Sequence, residues 1–163
     1  MKHIGKLEKI QHISYGYYQL AQIDEEVADN LLRIEKYRHS MYFYIQAMEK
    51  YIRARIFEIN SNKHFIEHNK DHRLDNAIKT LIEILGGDEL AKQHMEKHLF
   101  ENVLGGIKFG SLHNQLRYPF YIEENKRSVF KMLKVEKQDV LFIRDRLSCL
   151  KAFLNDLQKL KKP

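Results

Sequence analysis

The chain has 163 residues, 44% of them hydrophobic and 31% charged, with a formal net charge of +6 at neutral pH. That length suits one domain whose core needs no disulfide or metal staple, and the composition is too apolar for a disordered chain. No apolar run approaches the roughly 18–20 residues of a membrane span, so a membrane protein is not expected.

The single Cys149 excludes an intrachain disulfide and fits a reducing, cytoplasmic compartment. The opening "MKHIGKLEKIQH" lacks the apolar core of a signal peptide, so export is not expected. Charge is unevenly placed. Residues 108–163 hold 13 Lys/Arg against 6 Asp/Glu, whereas residues 1–107 hold 15 against 16. A basic last third suits a surface for nucleic acid or another polyanion, and equally a solvated face that keeps the protein soluble.

Leu20, Ile23, Val27, Leu31 and Ile34 recur every three or four residues, which predicts an amphipathic helix from about residue 6 or 14 to 35. Next, "HSMYFYIQAMEKYIRARIFEI" carries two apolar stripes. Met41, Ile45, Met48, Ile52, Ile56 and Ile59 form one, and Phe43, Ala47, Tyr51 and Ala54 the other. Gln46, Glu49, Lys50 and Arg53 share the remaining face, with Glu49 and Arg53 in the favourable i,i+4 order. A helix apolar on two flanks packs between neighbours and should be central in a bundle. Leu74 to Leu85 predict a third helix, stopped by Gly86-Gly87. Asp88 is placed to cap a fourth helix carrying Leu90, Met95, Leu99 and Leu104, ended by Gly105, Gly106 and Gly110. "FYIEENKRSVFKML" alternates around a turn-like "NKR" and predicts a short hairpin. Val140, Ile143, Leu147, Leu150, Leu154 and Leu157 step by three and four along a last helix from about 136 to 160. The expected fold is a single all-α domain over residues 1–163: an up-down bundle of about five helices, with a hairpin insert before the last.

Three motifs invite chemistry. "HFIEH" has the H-x-x-E-H spacing of one class of zinc peptidase, with His64 and His68 as ligands and Glu67 as base, and His72 extends the series. Polar turn-formers flank it and no third acidic ligand stands out, so no metal is expected there. "GGIKFGS" is glycine-rich like a phosphate loop, but it lacks the lysine after the second glycine and follows a helix rather than a strand. Cys149 lies beside the core stripe and is expected as a buried structural thiol.

The helix "RHSMYFYIQAMEKYIRARIFE" resembles the second helix of HEPN domains. In that family a small or aromatic run leads into an "A-x-E-K-x-x-K-A" type of pattern, carried here by Ala47, Glu49, Lys50, Arg53 and Ala54. "HRLDNAIKTLIEIL" is similar to the short third helix of that fold, and "LRYPFYI" to the tyrosine-bearing connection before its final helix. The abortive-infection V-type and nucleotidyltransferase-associated branches are the most similar. The resemblance spans about residues 14–158. It implies a helical homodimer of a prokaryotic phage-defence or toxin system, many of whose members are metal-independent ribonucleases that need no cofactor. In these an arginine and a histidine, four to six residues apart on the late helix or its approach, act on RNA in the dimer cleft. Here no histidine follows Arg144 or Arg146. His113 precedes Arg117 in reversed order, and Arg33 to His39 is the one forward match, at the junction of the first two helices, where His39 can equally serve the helix start.

The expected function is therefore RNA binding or metal-independent RNA cleavage. His113 would transfer a proton, Arg117 would hold phosphate beside Tyr118, and Lys126, Arg127, Arg144 and Arg146 would contact phosphates. The Arg33–His39 pair is a second candidate. The alternative is a non-catalytic helical module that docks on, or regulates, a protein partner in such a system.

Overall fold

The computed structural model describes residues 4–68 and 73–159. Among them are seven α-helices and a two-stranded antiparallel sheet: α1 (Ile13–Arg33), α2 (Tyr37–Ile59), α3 (Lys63–His68), α4 (Leu74–Leu85), α5 (Glu89–Lys97), α6 (Phe109–Arg117), β1 (Phe120–Glu124), β2 (Arg127–Lys131) and α7 (Lys137–Lys159). Below α5 the chain continues through a π-helical turn, His98–Val103. No described helix is long and apolar enough to cross a membrane.

The fold is all-α apart from its hairpin, with two more helices than the sequence suggested. Both extra helices are short, at six and nine residues. α3 covers the "HFIEH" segment that polar turn-formers flank. α6 contains Gly110, expected to be a helix stop; a Cβ there would sit 2.8 Å from an Asp75 carboxylate oxygen, so the glycine serves close approach between α4 and α6 rather than a turn.

α2 is the central element, packed against α1, α4, α6 and α7. The short 34–36 connection makes α1 and α2 an antiparallel hairpin. Ser40 donates to the Ala28 carbonyl at 2.8 Å, and Tyr51 to Glu25 at 2.6 Å. Tyr44 bonds Asp29, and Lys50 bonds Asp24. A row of α1 carboxylates thus meets hydroxyls and an ammonium from α2.

α1 turns the other way from what its leucines suggest. Ala21 and Ala28 are fully buried, while Leu20, Ile23 and Ile34 are 50%, 54% and 63% exposed. Small side chains let α1 approach α2 closely, and the bulky stripe is left outside. α2 corrects its expected polar face in the opposite sense. Glu49 and Arg53 are inside the protein, at 3% and 0% exposure, joined at 2.6 Å.

Gly110 apart, the punctuation at Gly86, Asp88 and the hairpin turn is where the sequence placed it. Asp88 accepts from the Ala91 amide at 2.7 Å, and Gly86 ends α4 at φ 75°. The hairpin turns at Asn125 and Lys126, both with positive φ, which matches the right-handed strand twist and sets Tyr121 opposite Phe130. Val140, Ile143, Leu147, Leu150 and Leu154 of α7 are buried as their spacing required. Cys149 is half-buried, not fully enclosed.

Candidate functional site

α6 carries His113 and Arg117 four residues apart, so the two project from one helix face. His113 is half-buried against α2. Its Nδ1 lies 3.2 Å from the Gln46 amide nitrogen, and its ring packs 5.4 Å from that of Tyr42. Burial, and then the nearby Arg117 charge, hold the imidazole below its ordinary pKa of 6.5, so it is neutral at neutral pH. Arg117 itself is exposed, its guanidinium 5.0 Å from the centre of the exposed Tyr118 ring.

A residue that sequence reasoning passed over holds this group in place. Arg38, in the first turn of α2, donates through Nε to the Leu116 carbonyl at 2.7 Å and through Nη2 to the Gln115 carbonyl at 2.8 Å. A weaker contact at 3.5 Å reaches the Leu133 carbonyl after the hairpin. α6 ends with carbonyls that have no intrahelical partner, and the arginine satisfies them. The signal was present in "YRHS", but a cation near a helix start gives no hint of which distant carbonyls it will meet.

Beside His113, a cavity of about 10 Å³ is lined by Gln46, Glu49, Arg73 and Gly110, among others, which is room for about one water.

The other candidates are scattered. Arg33 ends α1 and His39 opens α2; both are exposed, and neither joins the His113 group. Lys126 sits in the hairpin turn and Arg127 begins β2, both exposed. Arg144 and Arg146 point about 200° apart around α7. Arg144 is exposed and acts electrostatically on Tyr44. Arg146 is engaged by Asp145, lies 5.3 Å from the Phe142 ring, and donates to the Asn102 carbonyl at 3.3 Å, tying α7 to the π-turn. Among the described residues, these candidate cations therefore do not share one face. His64 is exposed on α3, whereas the His68 side chain and His72 lie outside the described residues.

No protein family matches the chain in comparison, and neither does any curated protein or solved structure.

Proposed function

We propose that the chain is a HEPN-like protein that acts on RNA in the cytoplasm, of the kind found in prokaryotic phage-defence or toxin systems, and that it cleaves RNA without a metal. The observation that carries this reading is the neutral, half-buried His113 one helical turn from an exposed Arg117. A base must present a lone pair, and Gln46 decides where that lone pair is. With the amide nitrogen on Nδ1, the ring proton sits on Nε2. With the amide turned over, its oxygen accepts from Nδ1–H and Nε2 is free. In the second arrangement Nε2 takes the proton of a 2′-hydroxyl, whose oxygen attacks the adjacent phosphorus. The P–O5′ bond breaks, and the departing oxygen takes a proton from water. Arg117 faces the charge that develops on the phosphoryl oxygens, and Tyr118 lies beside it to stack on a base. Lys126, Arg127 and Arg144 supply phosphate contacts further out.

The test is cleavage of a mixed-sequence RNA by the purified protein in excess EDTA, with His113→Ala, Arg117→Ala and His39→Ala in parallel. Loss of activity at 113 and 117 but not at 39 is expected. Activity that needs a divalent cation, or that survives His113→Ala, refutes the reading.

A second reading, a non-catalytic interaction module, is favoured by the bulky stripe that α1 leaves exposed. Leu20, Ile23 and Ile34, with the half-buried Val27 between them, form a seam suited to a second copy, which makes the chain a homodimer under either reading. Sedimentation of the wild type as a dimer and of Ile23→Arg as a monomer is the expected outcome. An intact protein that dimerises, leaves RNA uncut, and shows no salt-sensitive RNA binding belongs to this second class.

A further inference from the structure

We propose that the cleft between the start of α1, the second half of α2 and the end of α7 binds a small ligand carrying a phosphate or carboxylate on a flat ring, anchored by Arg55. The cleft measures about 350 Å³, at the lower end of the size range for small-molecule sites. It shares no lining residue with the cavity beside His113 and does not depend on that site acting on RNA.

Arg55 lines the cleft with its side chain only 7% exposed. Its Nη1 donates to Glu58 at 2.5 Å, which fixes the direction of the guanidinium plane. Its Nε and Nη2 are buried and have no hydrogen-bond partner among the described residues. Unmade hydrogen bonds on a buried charged group are costly, and here the two lie along a single edge. That edge is the fork that grips the two oxygens of a carboxylate or phosphate side by side. Glu58 occupies the other end, and the fork itself is covered in this structure, so a ligand reaches it when the Arg55 side chain swings toward the cleft that it lines.

The rest of the wall suits a ring. Tyr15, Tyr18 and Tyr51 line it, with Tyr18 edge-on to Tyr51 at 5.5 Å. Lys151 lies 5.1 Å from the centre of the Tyr51 ring and is held there by both oxygens of Glu25, at 2.8 and 2.9 Å. Tyr51 is tied to the same carboxylate, so this wall is pre-set. Preformed aromatic walls take a planar ring at small ordering cost. The cleft is sized for a small ring-bearing anion, not a polymer.

The experiment is calorimetric titration of the full chain with four probes: adenosine monophosphate, adenosine, inorganic phosphate and 4-hydroxyphenylacetate. Binding by either ring-bearing anion, with adenosine and phosphate each weaker by about tenfold or more, is expected; a factor of ten corresponds to one charge-assisted bond. Preference for the nucleotide assigns a phosphate ligand, and preference for the aryl acid a carboxylate. Arg55→Lys keeps the charge and loses the fork, and should weaken binding by about tenfold. Glu58→Gln, at a half-exposed position, should tighten it by freeing the guanidinium from its internal anion. Tyr18→Leu, at the cleft's exposed rim, guards against a misfolded Arg55 variant and should also weaken binding. Failure of both ring-bearing anions to bind, or unchanged affinity in all three variants, overturns the proposal.

Discussion

Replacing Arg38 by methionine tests the strut that holds the candidate site to the bundle. Methionine keeps the apolar stem and removes the guanidinium, so two short charge-assisted bonds to the Leu116 and Gln115 carbonyls disappear. The third contact, at 3.5 Å, is at the limit of hydrogen bonding and contributes little. Bonds to charged groups contribute about 1.5–3 kcal/mol each. Arg38 is half-buried and the released carbonyls can regain water, so the lower figure applies and the loss is about 3 kcal/mol in total. For a chain of this size that lowers the melting temperature by about 6–12 °C. The assay is thermal and urea unfolding of Arg38→Met beside Arg117→Met, whose exposed side chain has no such bonds and should change stability by less than about 0.5 kcal/mol. The His113 resonance adds a local readout. With the end of α6 released, the ring is less buried and its pKa rises toward 6.5. A variant that melts with the wild type and leaves His113 titrating as before would refute the claim that Arg38 positions α6.

Three further outcomes are expected. Glu49→Gln removes the carboxylate that the fully buried Arg53 meets at 2.6 Å and should cost on the order of 3 kcal/mol in urea unfolding, because a buried cation then loses a close anionic partner. Burial raises the Asp75 carboxyl above its usual 3.8, and one oxygen has no partner among the described residues, so the folded state binds a proton more tightly than the unfolded chain. This group's contribution to stability is then lost as pH rises from the unfolded value through the folded one; Asp75→Asn should gain on the wild type at neutral pH, with the advantage vanishing in acid below the carboxylate range. Lys126→Gly relieves a positive φ of 61° in the hairpin turn and should stabilise by about 1 kcal/mol while weakening RNA retention at low salt, two effects that melting and filter binding separate.

Much of the fold was legible because local rules and tertiary needs agreed there. Gly86-Gly87 stops α4 since glycine alone enters that backbone region freely, and Asp88 caps α5 because its carboxylate reaches a free amide. α7 needs its whole stripe buried, so its spacing sufficed. The candidate site was legible only as a pair. His113 and Arg117 were singled out, but the helix that makes them neighbours was not, because α6 is short and has a glycine at its second position. Nothing in the sequence told what Arg38, Gln46 and Arg55 would meet. A cation at half-buried spacing looks the same whether it meets water, a carbonyl or an empty cleft.

The sequence by itself determined the helical class, the hairpin before the last helix, the capped boundaries and the central place of α2, since each follows from periodicity or backbone freedom within a few residues. Tertiary structure alone decided which face of α1 and of α2 turns inward. Alanines, not leucines, take α1 to α2 because close approach favours small side chains. Glu49 and Arg53 go inside because they neutralise each other there. Periodicity divides a helix into faces, but only the neighbours that pack against it decide which face is buried.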